Sequence, residues 1–143
     1  MKVEGGRIAE VGVRRSGVVA VKVWVPGHPV PQPRPRFNST TRRTWTPAAA
    51  VDHKALVRQT IDLDRSSWRK KSVADDFAVR LDFYTTSWQA DVDNLAKLVL
   101  DAMNDLVYDD DRRVSLLVVE KTVVPAPDEG TGVLVIRNEP RRK

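Results

Sequence analysis

The spacing of apolar positions changes several times along this chain, and each change marks an element. Val18–Val25 (VVAVKVWV) is rich in β-branched residues and stops at Pro26-Gly27, which predicts a strand closed by a turn. An earlier run, Arg7–Val13, is joined to it by RRSG and is its expected hairpin partner. Between His28 and Phe37 the sequence HPVPQPRPRF contains four prolines. Each fixes φ and removes a backbone donor, so an extended loop is predicted, continuing through NSTTRRTW. Thr46 and Pro47 then suit the N-cap and first position of a helix over AAAVDHKALVRQTIDL, with Ala50, Leu56, Val57 and Ile61 turned inward. DRSSWRKKSVADD is a polar connection. In FAVRLDFYTT the residues alternate, with Phe77, Val79, Leu81 and Phe83 on one face and Arg80 and Asp82 on the other, which predicts a half-buried strand.

A second helix follows. Leu95, Leu98, Val99, Ala102, Met103 and Leu106 recur at helical spacing and form one apolar stripe. Asp93 is its expected N-cap, and the helix is expected to run out near Tyr108. Val114–Val124 (VSLLVVEKTVV) is almost continuously apolar and reads as a central strand. APDEGTG turns the chain into a last strand, VLVIR, and residues 139–143 form a basic tail expected to fray. The order β(β)αβαββ predicts an α+β fold, a mixed sheet with two helices packed on it, in a single domain spanning 1–143.

Charge adds a contrast to this pattern. Residues 91–111 hold seven Asp against one Lys, a local net of −6. The rest of the chain holds 23 Lys and Arg against 12 Asp and Glu, a net of +11. A basic body suggests a polyanionic partner, and nucleic acid is the commonest. With no cysteine in the sequence, a disulfide framework, a thiolate zinc site and a cysteine nucleophile are excluded. No apolar run approaches the ~20 residues of a membrane-spanning helix, and the start lacks the apolar core of a secretory signal, so a cytoplasmic protein is expected.

The acidic segment has two parts. Asp91 and Asp93 precede the helix, Asn94, Lys97, Asp101 and Asn104 share a separate stripe along it, and Asp109–Asp111 follow it. Carboxylates held together raise one another's pKa unless a cation joins them. An oxygen-only donor set without nearby His or Cys favours Mg²⁺ or Mn²⁺ over Zn²⁺. Such an ion within a basic shell suits phosphodiester chemistry, in which a neighbouring lysine stabilises developing charge or helps activate water. An EF-hand is excluded, because the loop counted from Asp91 has Ala96 where Gly is required and Ala102 where Glu is required. The plainer alternatives are a capping Asp93, a surface ion pair between Lys97 and Asp101, and a polar turn at Asp109–Asp111. Sequence leaves open whether the two acidic groups meet within one chain or across a homodimer. Arg34, Arg36, Arg42 and Arg43 in the proline-rich loop are candidate phosphate contacts, and Arg69, Lys70 and Lys71 belong to a second basic patch.

The run D-x-D-N-L-x-K-x-x-x-D, followed by DDD and an apolar strand, resembles the signature of the RusA family of Holliday-junction resolvases. Asp91, Asp93, Asn94, Lys97 and Asp101 match its first part, and Asp110 and Asp111 match the acidic pair before the strand. The resemblance extends more loosely to Pro26-Gly27, PVPQPRPRF and Thr46-Pro47, so it covers most of Val18–Val124. It implies a homodimer that binds branched DNA at four-way junctions and cuts two strands symmetrically, in DNA recombination and repair. The implied cofactor is Mg²⁺, with Mn²⁺ as a substitute. By position, Asp91, Asp93 and Asp111 would be metal ligands, with Asp110 as the alternative in register. Lys97 would be the catalytic lysine, and Asn94 and Asp101 would support it. Arg112-Arg113 departs from the small residue and Gln often found there. The competing readings are a less selective structure-specific nuclease and a non-catalytic DNA-binding protein whose acids are structural.

Overall fold

The computed structural model describes residues 17–33, 36–38, 43–45, 48–64 and 76–138. Strand β1 spans Gly17–Pro26, short strands β2 (Arg36–Asn38) and β3 (Arg43–Trp45) follow, and helix α1 spans Ala48–Leu63. Strand β4 (Phe77–Thr85) leads to helix α2 (Val92–Ala102), and β5 (Val114–Val123) and β6 (Gly130–Asn138) complete the order. A four-stranded mixed sheet in the order β1-β6-β4-β5 carries both helices, an α+β fold. The hairpin partner expected at Arg7–Val13, the Thr46-Pro47 helix start and the 139–143 tail lie outside the described residues. Among the described residues no helix is long and apolar enough to cross a membrane.

The alternation in β4 fixes which face carries the helices. Phe77, Val79, Leu81 and Phe83 pack with Val133 and Val135 of β6, Val57 and Ile61 of α1, and Leu95, Leu98 and Val99 of α2. The inward residues of α1 are Ala50, His53, Val57 and Ile61, with Leu56 packed at the margin. Burial also lowers the pKa of His53, with the charge of His28 as a smaller cause.

β4 is not the half-buried strand that its alternation predicts. Flanked by β5 and β6, it is buried almost throughout, including Arg80 and Asp82. Its polar face is satisfied internally. Arg80 donates from Nε and Nη2 to the Asp82 carboxylate at 3.0 and 2.7 Å and from Nη2 to Glu120 at 2.8 Å. A guanidinium fork facing a carboxylate is what allows two charges to sit this deep.

β5 corrects a second expectation. Its apolar run suggests a central strand, yet β5 is at the sheet edge and its residues alternate between half-buried and exposed. The cause is topological. α2 is the crossover of a parallel β4–β5 pair, with Phe77 opposite Val114 and Thr85 opposite Val123. β6 instead enters antiparallel between β1 and β4, and so takes the central place. The proline-rich region also holds more than a loop: β2 and β3 form a separate two-stranded ladder, with Arg36 opposite Trp45 and Asn38 opposite Arg43.

The buried Arg80 network gives a clear expectation. Arg80→Ala leaves the Asp82 carboxylate buried without its partner and should destabilise the fold by about 3–5 kcal/mol. Glu120→Gln, at an exposed side chain, should cost less than about 1 kcal/mol. Urea unfolding midpoints of the two variants check the contrast, and equal small effects would show that Asp82 does not depend on Arg80.

Candidate active site

α2 is shorter than its apolar stripe suggests, and its ends set the site. It begins one residue after Asp91, which holds the N-cap position in extended geometry without a side-chain cap bond. Asp93 therefore lies in the first helical turn and is not the N-cap; its Oδ1 accepts from the Asn94 backbone at 2.9 Å. An acidic residue here is favoured by the partial positive charge of the helix N-terminus. Asp91, Val92, Asp93 and Asn94 are all exposed.

At the other end, the helix stops at Ala102 and not near Tyr108. Arg58 of α1 donates from Nη1 to the carbonyls of Ala102 and Asn104, both at 2.8 Å, and so satisfies the frayed C-terminus. Asp105 adopts φ 61°, a left-handed conformation that aspartate tolerates better than most residues. Its N–H donates to the Tyr108 carbonyl at 2.7 Å, reversing the chain. Tyr108 is buried against Phe77, with ring centroids 5.7 Å apart, and its hydroxyl donates to the Leu100 carbonyl at 2.8 Å. Burial pushes this phenol's pKa up, and the charges of Asp111, Asp101 and Asp110 push it further in the same direction. Tyr108 thus anchors the acidic turn to the core. Neither Arg58 nor Tyr108 stood out as a site residue in the sequence, since both read as ordinary helix positions.

The three consecutive aspartates have three different partners. Asp109 accepts from Arg113 Nε at 3.1 Å and from Arg112 Nη2 at 3.5 Å, and these pairings, Arg113 first, hold its carboxyl below the usual range. Arg112 and Arg113 therefore have a local structural role. Asp110 accepts at Oδ1 from the Arg112 backbone at 2.9 Å and caps the 3₁₀ turn Asp111–Arg113. That backbone bond is the main reason its pKa is lowered, with a contact to the Asp111 side chain contributing as well. Asp111 turns to α2 and meets Lys97.

Lys97 is the hinge of the arrangement. Its ammonium lies 3.0 Å from Asp101 Oδ1 and 3.0 Å from Asp111 Oδ2. The Lys97–Asp101 surface pair suggested by the spacing is therefore present, but it is half of a bridge that joins α2 to the acidic turn. Asp93 precedes Lys97 by one turn, about 6 Å along the axis. The structure thus places Asp91 and Asp93 at the head of α2 and Asp101, Asp110 and Asp111 around and beyond Lys97. Among the described residues, no three His, Cys, Asp or Glu side chains stand close enough to hold one metal ion. The donor chemistry nevertheless fits a hard cation. Every candidate is a carboxylate, with no His or Cys among them, which is the donor set of a hard cation such as Mg²⁺.

The proline-rich segment docks on the same end of α2. Gln32 donates its backbone N–H to the Asn94 carbonyl at 2.8 Å, and Val30 packs against the core. This brings the chain leading to the arginine-rich stretch beside the first turn of α2. Of the basic candidates, Arg36 and Arg43 fall in the β2–β3 ladder, whereas Arg34, Arg42, Arg69, Lys70 and Lys71 lie outside the described residues.

An α+β sheet with a lysine joining a helix to an acidic turn is a geometry suited to chemistry on phosphate. Residues 26–133 match the family model described as endodeoxyribonuclease RusA, and the chain belongs to that family. No curated protein matches it closely.

The two hydrogen bonds, to Asp101 first and Asp111 second, hold the Lys97 ammonium above the ordinary lysine range. A raised pKa means that its ion pairs are fully formed at neutral pH and are lost only as the pH rises past that range. The Lys97 Nζ resonance, followed by NMR, should show no titration between pH 6 and about 10. A midpoint near 7 would contradict the bridge.

Proposed function

We propose that this protein is a Mg²⁺-dependent endonuclease that resolves four-way DNA junctions by paired phosphodiester hydrolysis, with Mn²⁺ able to substitute. The observation that supports the proposal is the Lys97 bridge: an ammonium one turn after Asp93 on α2 pairs with Asp101 and with Asp111 of the acidic turn. Membership of an endodeoxyribonuclease family supplies the reaction class.

In this reading Asp91, Asp93 and Asp111 would hold the ion, with Asp110 as the alternative to Asp111. Bound there, the ion would polarise the phosphate and lower the pKa of water. The chain's own groups have separate tasks. Lys97 is charged throughout the neutral range, so it acts as an electrostatic stabiliser of the phosphate and not as a general base. Asp101 positions Lys97 from the opposite side to Asp111. Asn94 fixes the Gln32 segment and thereby the approach of the arginine-rich stretch, whose Arg34, Arg36, Arg42 and Arg43 would anchor phosphates, with Arg69, Lys70 and Lys71 extending the basic surface. A homodimer would present two such sites to the two strands of a junction of approximate two-fold symmetry.

Asp93→Asn should abolish junction cleavage in Mg²⁺ while junction binding is retained or tightened, because a negative charge near phosphate is removed. Lys97→Met should lose at least about 100-fold in rate. Its unfolding free energy should change by less than about 1 kcal/mol, as expected for exposed ion pairs. Cleavage assays on a four-way junction, a flap and a plain duplex provide the comparison. Equal cutting of all three would support a less selective nuclease instead, and undiminished cutting by Asp93→Asn would refute the site.

A further inference from the structure

The loop between β4 and α2 presents a feature that phosphate chemistry does not use. Trp88, three residues before Asp91, is 70% exposed, although tryptophan is on average among the more buried residue types. The backbone around it is braced on several sides. Glu129 accepts from the Thr86 N–H at 3.0 Å and from its hydroxyl at 3.3 Å, and it also pairs with His28. The Ser87 and Gln89 N–H groups are bonded to the Thr85 and Ser87 hydroxyls at 3.4 and 3.1 Å.

Lys121 of β5 supports the indole from one side. Its ammonium lies 5.2 Å from the ring centroid and donates to the Trp88 and Ala90 carbonyls at 3.0 and 2.6 Å. The cation holds one face of the ring, and the exposure must come largely from the rest of the indole. Val92, 40% exposed, adds an apolar neighbour between Asp91 and Asp93. A large aromatic surface, held by a cation, is therefore exposed to water on the loop that leads directly into Asp91 and Asp93. A duplex offers such a surface nothing to stack on, because its bases are already stacked. A branch point offers unpaired or unstacked bases, and stacking on an aromatic side chain is tolerant of sequence.

We infer that Trp88 is a stacking platform for a nucleobase exposed at a DNA branch point, and that it contributes to the choice of branched over plain duplex DNA. This inference rests on the proposed reading of Asp91 and Asp93 as part of a nuclease site. Lys121 is a positioning residue in it, since it acts by holding the indole.

The test uses the full-length protein in EDTA, so that nothing is cut. A single-stranded oligonucleotide and a four-way junction each carry 2-aminopurine, whose fluorescence falls on stacking, and a plain duplex serves as reference. Trp88→Ala should abolish the quenching seen with the single strand. It should weaken junction binding by about 5- to 150-fold, the range expected for loss of one stacked base, with duplex affinity unchanged. Trp88→Phe should retain most of both effects. Because the side chain is so exposed, the melting temperature of each variant should match that of wild type. Wild-type quenching and junction affinity in Trp88→Ala would overturn the inference, as would an equal loss for junction and duplex. Junction cleavage by the wild-type protein in Mg²⁺, measured alongside, reports separately on the proposed function. Absent cleavage with Trp88-dependent quenching intact would remove that function while leaving the stacking surface.

Discussion

The bridge from Lys97 to Asp111 is the contact on which the candidate site depends. β4 and β5 run parallel, so the chain leaves β4 at one end of the sheet and must return to the other end to start β5. Asp91 and Asp93 stand at the head of α2, whereas Asp109–Asp111 follow its end and lead into β5. α2 carries a lysine one turn from its head, and that side chain reaches the acidic turn. The other features of the region serve this contact. Arg58 closes the helix C-terminus, Asp105 reverses the chain, and Tyr108 ties the turn to the core.

The charge distribution follows from the same constraint. A basic body attracts a polyanion but leaves carboxylates costly to gather, because they repel one another and repel phosphate. The chain distributes this cost among partners: Arg112 and Arg113 take Asp109, a backbone N–H takes Asp110, and Lys97 takes Asp101 and Asp111. Asp91 and Asp93 remain exposed at a helix N-terminus, where the peptide dipoles favour them. In the proposed site, an ion held by Asp91, Asp93 and Asp111 would require Asp111 to exchange part of its contact with Lys97 for the ion. Before that exchange, Lys97 ties the acidic turn to α2 through Asp111.

Much of this was legible in the sequence, and what was not has identifiable causes. The α+β class, β1, α1, β4 and the inward stripe of α2 followed from hydrophobic period, because burial against a sheet imposes that period directly. The position of β5 did not, since an apolar run says that a strand is partly buried but not which neighbour buries it. β6, antiparallel and inserted between β1 and β4, decided the matter. The end of α2 was misjudged because Leu106 continues the helical spacing, whereas Asp105 and the Arg58 contacts, one conformational and one long-range, terminate it. In the site, the residue types and their spacing were visible. The pairing of Lys97 with Asp111, fourteen residues apart, was not, because it depends on the parallel crossover. The separate duties of Asp109, Asp110 and Asp111 likewise emerge only from their three-dimensional partners.

The central claim is that the two acidic groups act as one cation site joined through Lys97. Titration of ¹⁵N-labelled protein with paramagnetic Mn²⁺ tests this most directly, because broadening reports distance to the ion. The account predicts that the amides of Asp91, Asp93, Lys97 and Asp111 broaden together, at one Mn²⁺ concentration, and that Asp111→Asn weakens the effect at all four. Broadening confined to Asp91 and Asp93, with Asp111 untouched and its substitution without consequence, would contradict it.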